Sequence, residues 1–157
     1  MVNKNEMPMY IGTKLVQAEP MSRGEYNAYR GWPIPCDEDQ AAEGYLVRYQ
    51  PDGYESWSPR EVFEQAYRQV DGLSFGLAIE AAKKGKKIAR KGWNGKDQYV
   101  VLGRSFAYFT SGEMVYDAYH EDIGSKALVF VGTRGSQVGW LASQADMLAD
   151  DWYIVED

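Results

Sequence analysis

The sequence predicts an α+β fold in two small domains, each a short antiparallel sheet packed with one or two helices. At 157 residues and 17.8 kDa, the chain is long enough for one ordinary domain or two small ones. Hydrophobic residues make up 45% and charged residues 25%, which supports packed cores and argues against disorder. A helical pattern ends before residues 70–72 and another begins after them. We therefore expect one domain over 1–72 and a second over 73–157.

The net charge of −6 is unevenly distributed along the chain. Residues 1–72 contain 7 basic and 12 acidic side chains, whereas residues 73–157 contain 10 basic and 11 acidic ones. Within the second part, residues 83–96 hold seven basic side chains and no acidic one. An acidic protein with one local basic patch suits a small anionic ligand better than a nucleic-acid polymer. We therefore do not expect nucleic acid as a partner.

The first domain is predicted to contain a hairpin followed by a helix. Residues 45–50 are rich in aromatic and β-branched side chains, and after turn formers at 51–53, residues 54–57 supply a second strand. Ser58 is positioned to cap a helix whose first residue is Pro59, with Glu61 completing a capping box. Helical spacing then predicts that five apolar residues pack on the hairpin: Val62, Phe63, Ala66, Tyr67 and Val70.

The second domain is predicted to open with a helix and to continue as short strands. Ser74 can cap the helix and Gly85 can end it, and its apolar face is formed by Phe75, Ala78, Ile79 and Ala82. Five segments are typical of strands: 87–93, 98–102, 107–109, 126–131 and 152–155. Asn94-Gly95 is a tight-turn dipeptide that would join the first two strands as a hairpin.

Residue counts exclude several kinds of site. With one cysteine, Cys36, and one histidine, His120, the chain cannot form an internal disulfide or a Cys/His zinc cage. Acidic residues 37–39 disfavour a Cys36 thiolate, and the neighbours of His120 favour a surface loop residue over a catalytic one. The polar N-terminus shows no signal peptide, and the longest apolar run, 127–131, is too short to cross a membrane. We expect no metal, no cofactor and no membrane association.

One basic stretch that contains glycine carries the clearest binding chemistry. Arg90 and Lys91 can donate charge-assisted hydrogen bonds to phosphate, and Trp93 offers a flat face to a purine. Gly92 and Gly95 would let backbone amides approach a ligand. The alternative interpretation is an exposed basic strand that ends in a hairpin, with Trp93 as an ordinary core residue.

A second candidate segment spans residues 139–149. Ser143 or Gln144 can begin a short helix with Asp146 in its first turn, where a negative charge is favourable. These three polar residues can also bond ribose hydroxyls or a base edge. In the alternative interpretation the apolar residues of this segment form core: Trp140, Leu141, Met147 and Leu148. Local chemistry does not choose between the two interpretations.

Three ordered motifs in residues 73–157 resemble the phage family of Thoeris anti-defence proteins of the second type. They are Phe75-Gly76 with Ala78-Ile79-Glu80-Ala81, then residues 85–95, and then residues 140–149 with the terminal Asp151-Trp152-Tyr153-Ile154-Val155. The resemblance implies a sponge, a protein that binds the cyclic ADP-ribose isomer made by TIR-domain enzymes of bacterial immunity without degrading it. It also implies a homotetramer with pockets between protomers, cyclic dinucleotides as further ligands, and action in the host bacterial cytoplasm.

The same resemblance implies a pocket formed by both candidate segments, without a catalytic residue. Arg90 or Lys91 would contact phosphate, and Trp93 would stack on adenine. Asn94 and Asp146 would bond ribose hydroxyls. The implied ligand-binding residues are Phe75, Arg90, Lys91, Gly92, Trp93, Asn94, Ser143, Gln144, Asp146 and Met147.

Residues 9–69 are similar to an uncharacterised phage or prophage domain. The shared signature comprises Tyr26-Asn27-Ala28-Tyr29-Arg30-Gly31-Trp32, Asp37-Glu38-Asp39, Glu43-Gly44-Tyr45-Leu46-Val47 and Ser56-Trp57-Ser58-Pro59. This region has a heavy aromatic load for its size. We interpret most of these aromatic residues as core, with an aromatic ligand or a protein interface as the alternative.

Three functions follow from these observations. The leading hypothesis is a non-enzymatic sponge for cyclic nucleotide immune signals. An enzyme that hydrolyses the same nucleotide would need His120 or Asp146 as its acid or base. A phage nucleic-acid- or protein-binding adaptor would use the basic strip Lys83–Lys96 as its contact surface, and its binding to nucleic acid would fall steeply as salt rises.

Overall fold

The computed structural model describes residues 11–104, 106–109, 111–116 and 126–156. Its helices and antiparallel sheets confirm the α+β class. The chain divides into two compact units, Met1–Arg68 and Gln69–Asp157, which we call unit 1 and unit 2. Composition places the division slightly later, after residue 72. The residues in between lie in unit 2, where Val70 O accepts a hydrogen bond from Ile154 N–H at 2.8 Å.

Unit 1 contains a three-stranded antiparallel sheet and two helices. In chain order its elements are β1 (Val16–Pro20), α1 (Arg23–Arg30), β2 (Gly44–Tyr49), β3 (Glu55–Pro59) and α2 (Arg60–Ala66). The strand order is β1-β2-β3, so β2 is central. The β2–β3 hairpin confirms the prediction, whereas β1 and α1 have no counterpart among the predicted elements. Tyr26, Leu46 and Val47 are the buried apolar residues in the described part of this unit.

Helix α1 has signals at both ends. Ser22 Oγ accepts a hydrogen bond from Glu25 N–H, and the Glu25 carboxylate accepts one from Ser22 N–H, which completes a capping box. Gly31 ends the helix with a φ of 66°, in the left-handed region that favours glycine. The spacing of apolar residues does not predict this helix, because its two buried residues are Tyr26 and Asn27, and Asn27 is polar.

Helix α2 does not begin as the sequence predicts. Pro59 is its N-terminal flanking residue, and no side-chain hydrogen bond caps the helix, so the expected capping box of Ser58 and Glu61 is wrong. The reason is that β3 continues through Pro59 and holds Ser58 in the sheet, opposite Tyr45. Ser58 therefore cannot turn toward the first amides of the helix.

The apolar face of α2 is also narrower than predicted. Phe63 stacks on Tyr45 with 4.3 Å between the ring centroids, and Tyr67 stacks on Phe63 at 4.9 Å. These two residues are half-buried, whereas Val62, Ala66 and Val70 are exposed. The predicted packing of all five residues is therefore wrong for three of them. A helix of seven residues that starts at the end of β3 turns only one edge toward the sheet.

Gly44 is a close-packed position that tolerates no side chain. A Cβ there would overlap the Trp57 indole and lie 2.5 Å from Ser58 O, a backbone atom that cannot rotate away. We expect Gly44→Ala to lower the free energy of unfolding of unit 1 by about 1–3 kcal/mol, the usual cost of overpacking. Thermal unfolding measures the loss. Gly12→Ala, whose Cβ would meet nothing within 4 Å, is the control. Equal stability of the two variants would contradict this packing.

Unit 2 contains a five-stranded antiparallel sheet, a separate two-stranded hairpin and two helices. In chain order its elements are α3 (Phe75–Lys83), β4 (Lys87–Arg90), β5 (Tyr99–Arg104), β6 (Ala107–Phe109), β7 (Met114–Tyr116), β8 (Lys126–Gly132), β9 (Gly135–Val138), α4 (Gln144–Met147) and β10 (Trp152–Val155). The sheet order is β10-β4-β5-β8-β9, and β6 pairs with β7. The last strand of the chain therefore lies beside β4. Strands β7 and β9 have no counterpart among the predicted elements.

Helix α3 covers the middle of this sheet. Ser74 Oγ accepts a hydrogen bond from Leu77 N–H at 3.5 Å, and Gly85 follows the helix with a φ of 85°. Both predicted end signals are thus confirmed. The core consists of residues from the helix, the sheet and the segment before the helix: Leu73, Ala78, Ala81, Ala82, Ile88, Val100 and Trp152. Alanines on the inner face let the helix approach the sheet closely.

The connection between β4 and β5 is longer than the sequence predicts. The two strands are antiparallel, with Ile88 opposite Val100, so the hairpin itself is confirmed. The prediction of a tight turn at Asn94-Gly95 is wrong, because the connection spans residues 91–98 and its left-handed residue is Asp97, with a φ of 57°.

None of the helices among the described residues has the length and hydropathy that a membrane-spanning helix requires.

Candidate ligand-binding site

The two candidate binding segments meet at the start of α4. Strand β10 pairs with β4 and places Trp152 opposite Arg90. From there Arg90 Nη1 donates to Asp146 Oδ1 at 2.8 Å, and Trp93 Nε1–H donates to the same oxygen at 3.1 Å. The structure therefore brings together Arg90, Trp93 and Asp146, three of the residues that the sequence predicts for one site.

Arg90 lies between two carboxylates. Besides its bond to Asp146, its Nε donates to Asp151 Oδ1 at 2.8 Å and its Nη2 to Asp151 Oδ2 at 3.4 Å. The hydrogen bonds that Arg90 donates to Asp151, and secondly to Asp146, raise the pKa of Arg90, and the bond from Arg90 holds the pKa of Asp151 below its usual value. One cation paired with two carboxylates leaves an excess of one negative charge. Arg90 is therefore a link between β4, α4 and β10 more than a free anion-binding group.

Asp146 has all its main acceptor positions in use. Oδ1 accepts from Arg90 and Trp93, and Oδ2 accepts from Ser143 N–H at 3.0 Å and Ser143 Oγ–H at 2.6 Å. Burial acts to raise the pKa of this carboxyl group, but the bonds from Ser143, Arg90 and Trp93 outweigh burial and hold its pKa far below the usual range. The helix start predicted at Ser143 is confirmed as a capping box.

Trp93 packs against the core and also lines a surface cleft. Its ring makes edge-on contacts with Phe130, Trp140 and Trp152, with centroids 5.4–6.0 Å apart. It is nevertheless only half-buried and also lines a surface cleft. The indole is thus fixed in position by the core while part of it stays accessible. A rigid, partly exposed aromatic ring is suited to stacking on a planar ligand.

The cleft beside Trp93 has a volume of about 300 Å³, near the lower end of the range for small-molecule sites. Arg90, Lys91 and Trp93 of the predicted set line it. The other lining residues are Asp71, Gly95, Gln98 and Tyr153. Of the remaining predicted residues, the cleft lining does not include Phe75, Gly92, Asn94, Ser143, Gln144, Asp146 or Met147. Their role in binding stays a prediction.

Lys91 is the most available cation of the cleft. Its side chain is 56% exposed, and its Nζ lies 3.7 Å from Asp71 Oδ2, a loose surface ion pair. Such pairs contribute little free energy and exchange readily with other anions. Gly92 N–H, in contrast, is already bonded to Asp151 Oδ2 at 2.9 Å. Of the two predicted phosphate contacts, the geometry favours Lys91 over Arg90.

Sequence reasoning missed Gln98 and Tyr153 as cleft residues. Tyr153 lies opposite Ala89 because β10 pairs with β4, a pairing between distant segments that no local pattern reveals. The sequence predicts Gln98 as the first residue of a strand, whereas in the structure it belongs to the loop before β5. The sequence signal for Gln98 is Gly95, because a glycine has no side chain and leaves room for the Gln98 carboxamide.

The apolar residues around α4 only partly form core, in contrast to the core interpretation of this segment. Trp140 packs against the core, as its alternative interpretation predicts. Leu141 is 89% and Leu148 78% exposed, and Met147 is exposed as well, so their assignment to the core is wrong. The four-residue helix α4 is bound to the rest of unit 2 through Asp146 and buries no residue of its own. Its apolar side chains consequently face outward.

Histidine and cysteine, two residue types that often act in catalysis or bind metals, occur once each in the chain. His120 lies outside the described residues. Cys36 is exposed, and no group of three or more His, Cys, Asp or Glu residues in the described part of the chain could hold a metal ion. The candidate site therefore consists of an aromatic ring, one available cation and polar side chains.

Two comparisons with known proteins concern the unit that contains this cleft. Residues 73–155 match the Tad2-like family, described as the Thoeris anti-defense 2-like domain. A protein of Bacillus phage SP01 named Thoeris anti-defense 2 is 34% identical over 84 residues, which cover 53% of this chain and 94% of the relative. The family match extends from just before α3 through β10, and both matches support a role against Thoeris defence. The chain thus belongs to the Thoeris anti-defense 2-like family.

Proposed function

We propose that the protein counters Thoeris defence as a sponge, which binds a cyclic ADP-ribose isomer without cleaving it and keeps it from its effector. The observation that carries this proposal is the family match across unit 2. Cyclic dinucleotides are a further ligand class for the same protein. The proposed place of action is the cytoplasm of the host bacterium.

The cleft supports the proposal through its chemistry. Trp93 can stack on the adenine ring, and Lys91 can replace its loose contact with Asp71 by a charge-assisted bond to a phosphate. Asp146 remains ionised and fully bonded, which disfavours it as a proton donor in the hydrolysis that was the enzymatic alternative.

We propose a homo-oligomer, a tetramer by resemblance, whose copies complete the pocket. A cleft of about 300 Å³ is small for a nucleotide with two phosphates. The charges around Arg90 and Lys91 do not supply the excess of positive charge that such a ligand needs. Cations and further walls from another copy would meet both needs. The exposed Leu141 and Leu148 offer apolar surface to such a contact.

Replacing those two leucines tests the assembly. We expect Leu141→Ser with Leu148→Ser to shift the full-length protein to a smaller species in light scattering. Both side chains are exposed, so the thermal unfolding of unit 2 should change little. Val62→Ser, at an exposed apolar residue of unit 1, is the control and should leave the mass unchanged. If the double variant had the same mass as the wild-type protein, these leucines would not belong to the interface.

A capture-and-release experiment tests the sponge. The protein is mixed with the TIR-derived cyclic ADP-ribose isomer or with cyclic dinucleotides, and free ligand is measured before and after heat denaturation. We expect the ligand to disappear and then to return intact. Return of an altered ligand would establish an enzyme instead. A ligand that never leaves solution would exclude the proposed function.

The adaptor hypothesis is weakened because two cations of the basic strip Lys83–Lys96 are paired with carboxylates of the chain itself. Residues 83–87 lie at or before the start of β4, and Lys91 and Lys96 follow its end. Lys83 pairs with Glu80 at 2.6 Å, and Arg90 is paired twice. We therefore expect no salt-sensitive binding of duplex DNA to the full-length protein, measured by fluorescence anisotropy at low salt.

A further inference from the structure

Gln98 presents an unused hydrogen-bonding group to the cleft. It is half-buried and lines the cleft with Trp93 and Tyr153. Among the described residues its carboxamide has no hydrogen-bond partner, although it offers two N–H donors and one carbonyl acceptor. A partly buried amide without partners usually bonds to water or to a ligand.

The position of this carboxamide is set by Gly95. A Cβ at Gly95 would overlap Cδ, Nε2 and Oε1 of Gln98, so the amide lies directly over the glycine. Gly95 has no left-handed φ in this structure, and backbone freedom does not explain the glycine. Its lack of a side chain leaves room for Gln98. The loop thus holds a donor–acceptor pair in the cleft that contains the Trp93 ring.

We propose that Gln98 is a specificity-determining residue that reads the hydrogen-bonding edge of an aminopurine base stacked on Trp93. This inference rests on the proposed function and names the part of the ligand that the cleft selects. A carboxamide can accept from the 6-amino group of adenine and donate to an adjacent ring nitrogen at the same time. Lys91, in the same cleft, is then left for the phosphates.

The decisive measurement is the coupling between the Gln98 side chain and the 6-amino group. Calorimetry compares wild type and Gln98→Leu with two ligands, the cyclic ADP-ribose isomer and its analogue that carries purine in place of adenine. In wild type, loss of the amino group should weaken binding about fivefold or more, and in Gln98→Leu less than twofold. Gln98→Leu itself should bind the adenine ligand at least about tenfold more weakly.

Gly95→Ala gives a second, independent variant. The new methyl group would push away the end of a flexible side chain, which leaves the fold intact but moves the amide. The same loss of coupling is expected although the carboxamide is still present. Gln137→Leu, at an exposed residue of β9, is the matched control and should behave as wild type.

The outcomes separate this inference from the proposed function. If wild type captures neither ligand, the proposed function itself fails. If wild type binds the adenine ligand but the two changes are additive, Gln98 does not touch the base and the inference is overturned. A uniform loss for both ligands in Gln98→Leu would likewise indicate a structural role only.

Discussion

Trp93→Ala is expected to weaken ligand binding at least about tenfold, because a base–aromatic stack contributes about 1–3 kcal/mol. The same change should lower the stability of unit 2, since the indole contacts Phe130, Trp140 and Trp152 and donates to Asp146. Calorimetry with the cyclic ADP-ribose isomer and thermal unfolding measure the two effects. Affinity equal to that of wild type would remove Trp93 from the site.

Trp93→Phe separates the two roles of this residue. Phenylalanine keeps an aromatic ring for stacking and for the core but lacks the Nε1–H that bonds Asp146. Stability should fall by about 1.5–3 kcal/mol, the net value of one hydrogen bond to a charged group. Binding should be retained in large part. If Trp93→Phe loses binding as completely as the alanine variant, the hydrogen bond is more important than the ring.

Asp146→Ala is expected to destabilise unit 2 strongly. It removes the acceptor for Arg90, Trp93 and Ser143 in one step, and leaves Arg90 with Asp151 alone. We expect the free energy of unfolding to fall by about 3 kcal/mol, at the low end for broken buried ion pairs because 13% of the side chain is exposed. Denaturant unfolding measures this loss. Asp150→Ala, at an exposed neighbour, is the control.

The same carboxylates predict how stability depends on pH. The pKa of Asp146 and the pKa of Asp151 are lower in the folded protein than in the unfolded chain. Their stabilisation is therefore complete above the unfolded value of about 3.9 and is lost as the pH falls below it. Unit 2 should lose stability as the pH falls below about 4, and Asp146→Asn should flatten that slope. An unchanged slope would show that other groups govern acid unfolding.

The sequence predicts what depends on neighbouring residues. Ser74, Gly85 and Ser143 mark helix ends in the structure as they do in the sequence, because a cap requires only a few consecutive residues. Strands β4, β5, β6, β8 and β10 follow from β-branched and aromatic runs in the same way, whereas β7 and β9 do not. The α+β class and the β2–β3 and β4–β5 hairpins could therefore be inferred without any tertiary information.

What the sequence does not reveal depends on contacts between distant segments. Arginine often binds phosphate, yet Arg90 is bonded to two carboxylates that lie more than fifty positions away in the sequence. Leucine is common in protein cores, yet Leu141 and Leu148, which flank the four-residue helix α4, are exposed. Gln98 and Tyr153 enter the cleft only through the loop conformation and the pairing of β10 with β4. For Arg90 and Tyr153 the pairing of β10 with β4 decides the role, and that pairing is not a local property.

The surplus negative charge around Arg90 has a consequence for kinetics. Long-range attraction accelerates the approach of an anionic ligand only where cations are in excess. Within one copy of the chain that attraction is absent, so the rate of association would depend on the cations that another copy brings to the completed pocket. The protein would then capture its ligand quickly only in the assembled form, and that rate should fall as ionic strength rises.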